Sequence, residues 1–297
     1  MNLALTVIQI AAPVFLLAAI GFTWIRLGFE YRTEFVTRLA MSVSLPALVF
    51  VALMNTEIEP QDLARISLAS LAGYGIITVI IFGIVRGLGL DSRTFLAPLI
   101  FGNTGNLGLP LALFAFGQEG FGYALVPFAV MMLLSFSIGI WMVAGRGSLG
   151  RIIREPLIGA LFLGTLFLWQ GWKTPLFVTN TLELLGQIAI PVMLITLGVA
   201  VARLKPGQIR LAFGLSIVKF IVCVAVGVAV GVWFDLAAMP LAVLTLQLAT
   251  PVAVTSYLLA EKFGADAQSV AGMVVVSTLL SVVGLPLILA FTLPASM

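Results

Sequence analysis

The sequence predicts an all-α polytopic membrane protein with ten transmembrane helices and almost no soluble mass. Three observations lead there: the composition, the length of the apolar runs and the placement of the basic residues. Hydrophobic residues fill 61% of the 297 positions and charged residues 9%, against roughly 45–50% apolar and about 25% charged in soluble domains. A water-soluble fold has no interior large enough to hide that much apolar surface. One crossing needs roughly 20 residues, which leaves room for about ten once short loops are removed. The runs are far longer than the roughly ten-residue alternating strands of an outer-membrane barrel, so the spans are helices.

Between charged punctuation the apolar runs fall near Leu3–Trp24, Phe35–Met54, Ile66–Val85, Phe95–Phe116, Phe121–Val143, Leu157–Trp169, Leu184–Ala202, Leu211–Phe234, Leu241–Leu259 and Val270–Leu293. No basic region precedes the first and no clear small-residue cleavage site follows it, so it reads as a span that is kept, with the mature chain starting at Met1. Orientation follows from the basic residues, which concentrate in short cytoplasmic loops. The odd-numbered connections hold Arg26, Arg32, Arg38, Arg86, Arg93, Arg146, Arg151, Arg154, Arg203, Lys205, Arg210 and Lys262, whereas the even ones hold Arg65 and Lys173. Both termini are therefore expected on the non-cytoplasmic side of the cell (inner) membrane, which requires an even number of spans.

Several function classes lose their chemistry at this point. Histidine is absent and Cys223 is the one cysteine, which removes the commonest metal ligand, the commonest general base and any disulfide framework within the chain. No nucleophile with a base and no metal cluster is legible, so neither an enzyme nor a bound metal or cofactor is expected. No basic stripe interleaved with aromatics suggests nucleic acid, and no soluble output domain suggests a receptor.

The two halves of the chain resemble each other in order. Ser44-Leu45-Pro46 followed by Glu59-Pro60-Gln61-Asp62-Leu63 is matched by Ala189-Ile190-Pro191 followed by Lys205-Pro206-Gly207-Gln208-Ile209. Pro110 in span four and Pro251 in span nine each precede a Phe-Gly pair, Phe116-Gly117 and Phe263-Gly264. The offset is five spans, an odd number, so the second copy runs through the membrane in the opposite sense. This gives two five-helix repeats, residues 1–145 and an inverted copy at 146–297, an arrangement common among carriers.

Spans four and nine are expected to be broken. Gly102-Asn103-Thr104-Gly105-Asn106-Leu107-Gly108-Leu109-Pro110 packs glycine, asparagine and proline into a stretch that must cross hydrocarbon, and Gln247-Leu248-Ala249-Thr250-Pro251 is its counterpart. Unwound backbone survives at that depth only where protein or a water-filled cavity satisfies it. Thr250 as an N-cap with Pro251 at the first helical position reads as a helix start. Arg93 and Glu119 bracket residue 106, and Asp235 and Glu261 bracket residue 248, so both breaks sit at the bilayer centre. The half-helices beginning near Pro110 and Pro251 then face each other, offering free N–H donors and positive dipole ends to an anion. Two prolines that merely kink their helices are the plainer reading of the same residues. Lys219, about 13–14 Å beyond Arg210 along span eight, is a midplane lysine: a source of positive potential for a site, a snorkelling side chain or a structural partner. Glu183, near the outer end of span seven, is the acidic residue placed partly within a span.

These residues resemble the auxin efflux carriers, a family that includes plant exporters and bacterial malonate-transporter-like proteins. The resemblance rests on Gly102-Asn103 through Gly105-Asn106-Leu107-Gly108-Leu109-Pro110 with Ala115-Phe116-Gly117, on Ile190-Pro191 to Leu197-Gly198, on Thr250-Pro251, and on the final span after Lys262-Phe263-Gly264. It implies a scaffold domain of spans one, two, six and seven and a transport domain of spans three to five and eight to ten, with four and nine crossing at their prolines. It further implies elevator-type movement of small organic carboxylates by a homodimer joined through the scaffold. The plant members' long hydrophilic central loop is missing, as only Ala144 to Pro156 links the halves, so auxin specificity is not implied. The expected substrate site is Asn103, Asn106, Pro110, Lys219, Gln247, Thr250 and Pro251, holding a malonate-like carboxylate. Coupling to Na+ or H+, for this or another solute, stays open; neither break region holds a carboxylate, which disfavours cation–proton exchange.

Overall fold

The computed structural model describes residues 3–145 and 155–292. Most of the link between the halves, with Arg146, Arg151 and Arg154, lies outside the described residues. What is described is helical throughout, with one isolated β-bridge between Gly102 and Val252. The helices are α1 (Leu3–Arg26), α2 (Thr33–Leu39), α3 (Leu45–Asn55), α4 (Pro60–Gly87), α5 (Ser92–Ile100), α6 (Leu109–Leu134), α7 (Ile140–Ala144), α8 (Pro156–Gln170), α9 (Leu176–Gln187), α10 (Ala189–Arg203), α11 (Ile209–Trp233), α12 (Ala238–Leu248), α13 (Val254–Phe263) and α14 (Ala267–Thr292). Three π-helical turns, Ala40–Ser44, Thr104–Gly108 and Ser135–Gly139, join α2 to α3, lead into α6 and join α6 to α7.

Among the described residues, seven helical stretches are long and apolar enough to cross a membrane: Val7–Arg26, Thr33–Asn55, Pro60–Gly87, Thr104–Ala144, Leu176–Arg203, Ile209–Trp233 and Ala267–Phe291. Pro156–Gln170 and Ala238–Leu248 are shorter apolar helices. The protein is therefore an integral membrane protein. Thr104–Ala144 spans 41 residues, more than one crossing needs, and it bends where Gly117 takes φ 65°, ψ −157°, a conformation closed to side-chain-bearing residues. The sequence places the seventh span from Leu184, but the helix begins at Leu176, directly after Pro175. Thr179, Asn180, Thr181 and Glu183 interrupt the apolar run without interrupting the helix, because Thr181 returns its hydroxyl hydrogen to the Phe177 carbonyl at 2.7 Å.

Start signals are local and polar. Asp91 caps α5 by accepting from the amides of Arg93 and Thr94, and Asp266 does the same for α14 through Ser269. Thr94 Oγ1 joins the two caps, donating to Asp91 at 2.6 Å and accepting from the Asp266 amide at 3.2 Å. Proline at the first position opens α4 and α8, where its missing N–H costs nothing.

Packing faces fall into two sets. In the first, α10 lies along α1 and α8 along α3, with α9 beside α3. The α1–α10 contact is backbone to backbone: Gly21 faces the Ile195 carbonyl and Gly198 the Ala18 carbonyl, with no room for a β-carbon at either. Small residues permit this approach in a membrane, where dispersion and not water drives helix association. In the second set α11 packs on α14, α12 and α4, and α12 on α6. The sets meet through α1 against α14 and α6, and α3 against α6.

Hydrogen bonds also join chain ends that the basic-residue pattern assigns to one side. Arg203 donates to Thr33 Oγ1 and the Tyr31 carbonyl, each at 2.7 Å. Arg93 reaches the carbonyls of Val143 at 3.1 Å and Phe263 at 3.0 Å. On the opposite side Lys173 reaches the Met54 carbonyl at 2.6 Å and Asn55 Oδ1 at 3.1 Å.

Candidate functional site

The first interruption is a set of redirected backbone bonds. In a continuous helix the Asn103 amide would donate to the Leu99 carbonyl. It donates instead to the carbonyl of Pro251, 2.7 Å away on the other broken segment. Phe101 is extended, at φ −93°, ψ 121°. The freed Leu99 carbonyl accepts from Lys219 Nζ at 3.1 Å, so an ammonium closes the negative end of α5. Helical bonding resumes at once: the Asn103 carbonyl accepts from Leu107 at 3.1 Å and Gly108 at 3.2 Å. The half-helix therefore starts at Thr104, and Pro110 lies in its second turn, not at its head. A π-helical turn supplies the missing bonds, a device frequent at functional sites.

The second interruption is longer. α12 ends at Leu248, and Thr250 Oγ1 donates back to the Gln247 carbonyl at 2.8 Å. Val252 donates its amide to Ser277 Oγ on α14 at 3.0 Å. Ala253 is extended and α13 begins at Val254. Thr250 is thus a stop signal for the first half-helix and not the N-cap of the second, which starts three residues past Pro251. The hydroxyl is consumed by the nearer carbonyl at the end of α12, which accepts from the Thr250 amide as well, at 3.4 Å.

The two segments touch closely, Gly102 facing the Thr250 hydroxyl and carbonyl and Gly108 the Gln247 side-chain amide. A β-carbon on Gly102 would lie 2.8 Å from the Thr250 carbonyl oxygen, and one on Gly108 2.9 Å from the Gln247 amide carbon. Asn103, Thr104, Gln247 and Thr250 are buried there. Asn103 Nδ2, Thr104 Oγ1 and both amide atoms of Gln247 have no hydrogen-bond partner among the described residues. Buried polar atoms are rarely left so. Pro110 and Pro251 are buried as well, Asn106 is half-buried one turn past Asn103, and Lys219, bonded to the Leu99 carbonyl, lines a small cavity with Thr250 and Pro251.

Two groups of residues lie outside the sequence-based site. A cavity of about 740 Å³ opens between α3, residues 55–58, the bend after Gly117 and α9, lined by Asn55, Glu57, Gln118, Glu119, Glu183 and Gln187 among others. None of the residues where the segments meet lines it. Its polar groups sit at span ends, where charge is ordinary, so no sequence signal singled them out apart from Glu183. The second group is Ser216, Ser277 and Ser281, which with Lys219 and Thr250 line a cavity of about 20 Å³. Hydroxyls recurring every three or four residues inside apolar spans were the available signal. Among the described residues no cluster of three or more Asp, Glu, Cys or His could hold a metal ion.

Comparison with known proteins points to membrane transport. Residues 140–289 match the model of the family described as membrane transport protein. A Methanothermobacter thermautotrophicus protein named "Uncharacterized transporter" is 27% identical over 87% of this chain and 88% of its own. A Rhizobium meliloti protein named "Putative malonate transporter" is 26% identical over 81% of each chain. A Methanocaldococcus jannaschii protein, also named as an uncharacterized transporter, is 27% identical over 61% of this chain and 62% of its own. The family match covers half of the chain and the first two relatives run nearly its full length, so the protein belongs to the membrane transport protein family, the family of the auxin efflux carriers.

Proposed function

We propose that this transport protein is a secondary carrier for a small organic anion, a malonate-like or related carboxylate, moved by an elevator-type motion. The observation behind this reading is the meeting of two interrupted apolar segments at Gly102 and Val252, with buried, unpartnered Asn103 Nδ2 and Gln247 Nε2 beside it. The half-helices starting at Thr104 and Val254 add free amides and positive dipole ends. Lys219, which shares a small cavity with Thr250 and Pro251, adds positive potential. Asn103, Asn106, Gln247 and Thr250 would contact the substrate, with Pro110 and Pro251 fixing the breaks. The relative named as a malonate transporter supports the substrate class.

The division of packing faces supports the mechanism. The set α1–α3 with α8–α10 would be the scaffold, through which the protein would dimerise, and the set α4–α7 with α11–α14 the moving body. α5 with residues 104–116 would make one crossing, residues 117–144 a second, and α12 with α13 a third, which with α8 and the six other long stretches gives ten spans in two inverted repeats. The side-specific bonds of Arg203, Arg93 and Lys173 agree with that alternation, with both termini on the non-cytoplasmic face of the inner membrane. Malonate and short monocarboxylates titrated against detergent-purified protein test the reading. A bound carboxylate raises apparent stability by mass action, and Asn103→Ala, which removes the unpartnered Nδ2 donor, is expected to weaken it about tenfold, the weight of one hydrogen bond to a charged group. Unchanged affinity in that variant removes the substrate from this site.

One observation favours a second reading, a sodium- or proton-coupled symporter. Glu57, Glu119 and Glu183 line the large cavity, and such a vestibule gathers cations and repels free dianions. Uptake into proteoliposomes with and without a sodium gradient, and with and without a pH gradient, separates the two.

A further inference from the structure

Lys219 is 2% exposed near the middle of α11. Its ammonium carries three N–H donors, and its hydrogen bond within the protein goes to the Leu99 carbonyl at 3.1 Å. The ion pairs among the described residues are Arg32 with Glu30 and Arg38 with Glu34, both exposed, so no carboxylate balances this charge. A buried ammonium facing a carbonyl alone is costly, because a carbonyl dipole does not neutralise a full charge.

Beside it lies the cavity of about 20 Å³ lined by Ser216, Lys219, Phe220, Thr250, Ser277 and Ser281, among others. Ser216 precedes Lys219 by three residues, so both stand on one face of α11; Ser277 and Ser281 occupy one face of α14 in the same way. Ser216 Oγ is buried, 3% exposed for the residue, and has no partner among the described residues. Such a volume takes one water-sized particle. It is far below the roughly 300–1,000 Å³ of pockets for organic ligands.

We propose that this cavity binds one small monovalent inorganic anion of halide size, chloride being the natural candidate, held by the Lys219 ammonium and the Ser216 hydroxyl. The cavity adjoins the carboxylate site and shares Lys219, Thr250 and Pro251 with it, but the halide proposal does not rest on that reading. A sodium ion would meet the ammonium at contact distance and be repelled. A water molecule would satisfy Ser216 and leave the charge of Lys219 unbalanced. An anion satisfies both and neutralises a lysine that closes the end of α5, so the ion would stabilise the broken segment itself.

The test is thermal unfolding of the detergent-purified full chain at constant ionic strength, with sodium chloride or sodium bromide exchanged for sodium gluconate. The apparent Tm is expected to rise and saturate with chloride and with bromide, and to stay flat in gluconate. Lys219→Met should abolish the halide response, and Ser216→Ala should raise the half-saturating chloride concentration about tenfold. Equal Tm in chloride and gluconate would mean a cavity that holds only water, and overturns the site. So does a full halide response in Lys219→Met. Should Lys219→Met not fold, the wild-type titrations and Ser216→Ala decide alone. Malonate added in gluconate separates the two proposals: a malonate response without a halide response overturns this site and leaves the carrier reading standing, and the reverse outcome does the opposite.

Discussion

The two interruptions that meet near the middle of the molecule are held by different means. At the first, three residues leave the helix, and the freed Leu99 carbonyl is taken by the charged side chain of Lys219, reaching across from α11. At the second, five residues leave it, and neutral hydroxyls suffice: Thr250 closes α12 from within and Ser277 on α14 takes the Val252 amide. A charge holds the shorter break and hydroxyls hold the longer one. The first is therefore coupled to the ionic state of its surroundings, and the second to the packing of α14. The crossing point between them belongs to neither, because there Gly102 bridges Val252 backbone to backbone and lies against the Thr250 hydroxyl and carbonyl.

The largest effect should come from that shared point. Gly102→Ala puts a methyl group against the Thr250 carbonyl, a backbone atom that cannot rotate away, so the two segments must part and the bridge from Gly102 to Val252 must open. The expected cost is about 3 kcal/mol, the upper end for overpacking a tight core, with loss of carboxylate binding. Gly108→Ala meets the Gln247 amide instead, a side-chain end free to turn, and should cost about 1 kcal/mol. Chemical or thermal unfolding of the two variants side by side checks this. Equal losses would mean that the segments are not locked backbone to backbone.

The hydroxyl-held break should respond next. Thr250→Val keeps the shape and leaves the Gln247 carbonyl without the hydroxyl, for about 1–2 kcal/mol. Its effect should be independent of chloride, whereas any loss from changing Lys219 should depend on the anion present. Thermal unfolding of Thr250→Val in chloride and in gluconate measures this. A Thr250→Val loss that varies with the anion would mean that the two breaks share one network.

How much of this was legible in the chain follows from what each feature depends on. The breaks were legible because Gly102, Asn103, Gly105, Asn106, Gly108 and Pro110 violate helix chemistry locally, and Thr250-Pro251 does so too. Where helix resumes was not: the start at Thr104 depends on the Pro251 carbonyl capturing the Asn103 amide, and the start at Val254 on Ser277 capturing the Val252 amide, and those partners are tertiary. Lys219 was legible as an anomaly of depth, but its bond to Leu99 needed the fold, since the two lie 120 residues apart. The long helix from Leu176 was hidden by the polar residues of its first turns, of which Asn180 and Glu183 are exposed and Thr181 bonds back to the Phe177 carbonyl. The large cavity was invisible because Glu57, Glu119 and Glu183 come from three separate segments.

The smallest effect lies one step away, at the helix starts that aim the two breaks. Asp91 and Asp266 cap α5 and α14, and Thr94 links them. Hydrogen bonds from Ser269, first its hydroxyl and then its amide, hold the Asp266 carboxyl below the ordinary carboxylate value. A folded-state pKa below the unfolded one means that the contribution is complete above the unfolded value and disappears as pH falls through the folded one. Asp266→Asn should therefore lower the midpoint of thermal unfolding at neutral pH, by the equivalent of about 1 kcal/mol or less. The gap to wild type should close in strong acid, where Asp266 is itself protonated. Because Ser277 on α14 takes the Val252 amide of the second break directly, whereas α14 meets the first segment through the packing of α5, the loss should add to that of Gly108→Ala but fall short of additive with Thr250→Val. Strict additivity with both would mean that the cap acts on α14 alone and that the second break is held without it.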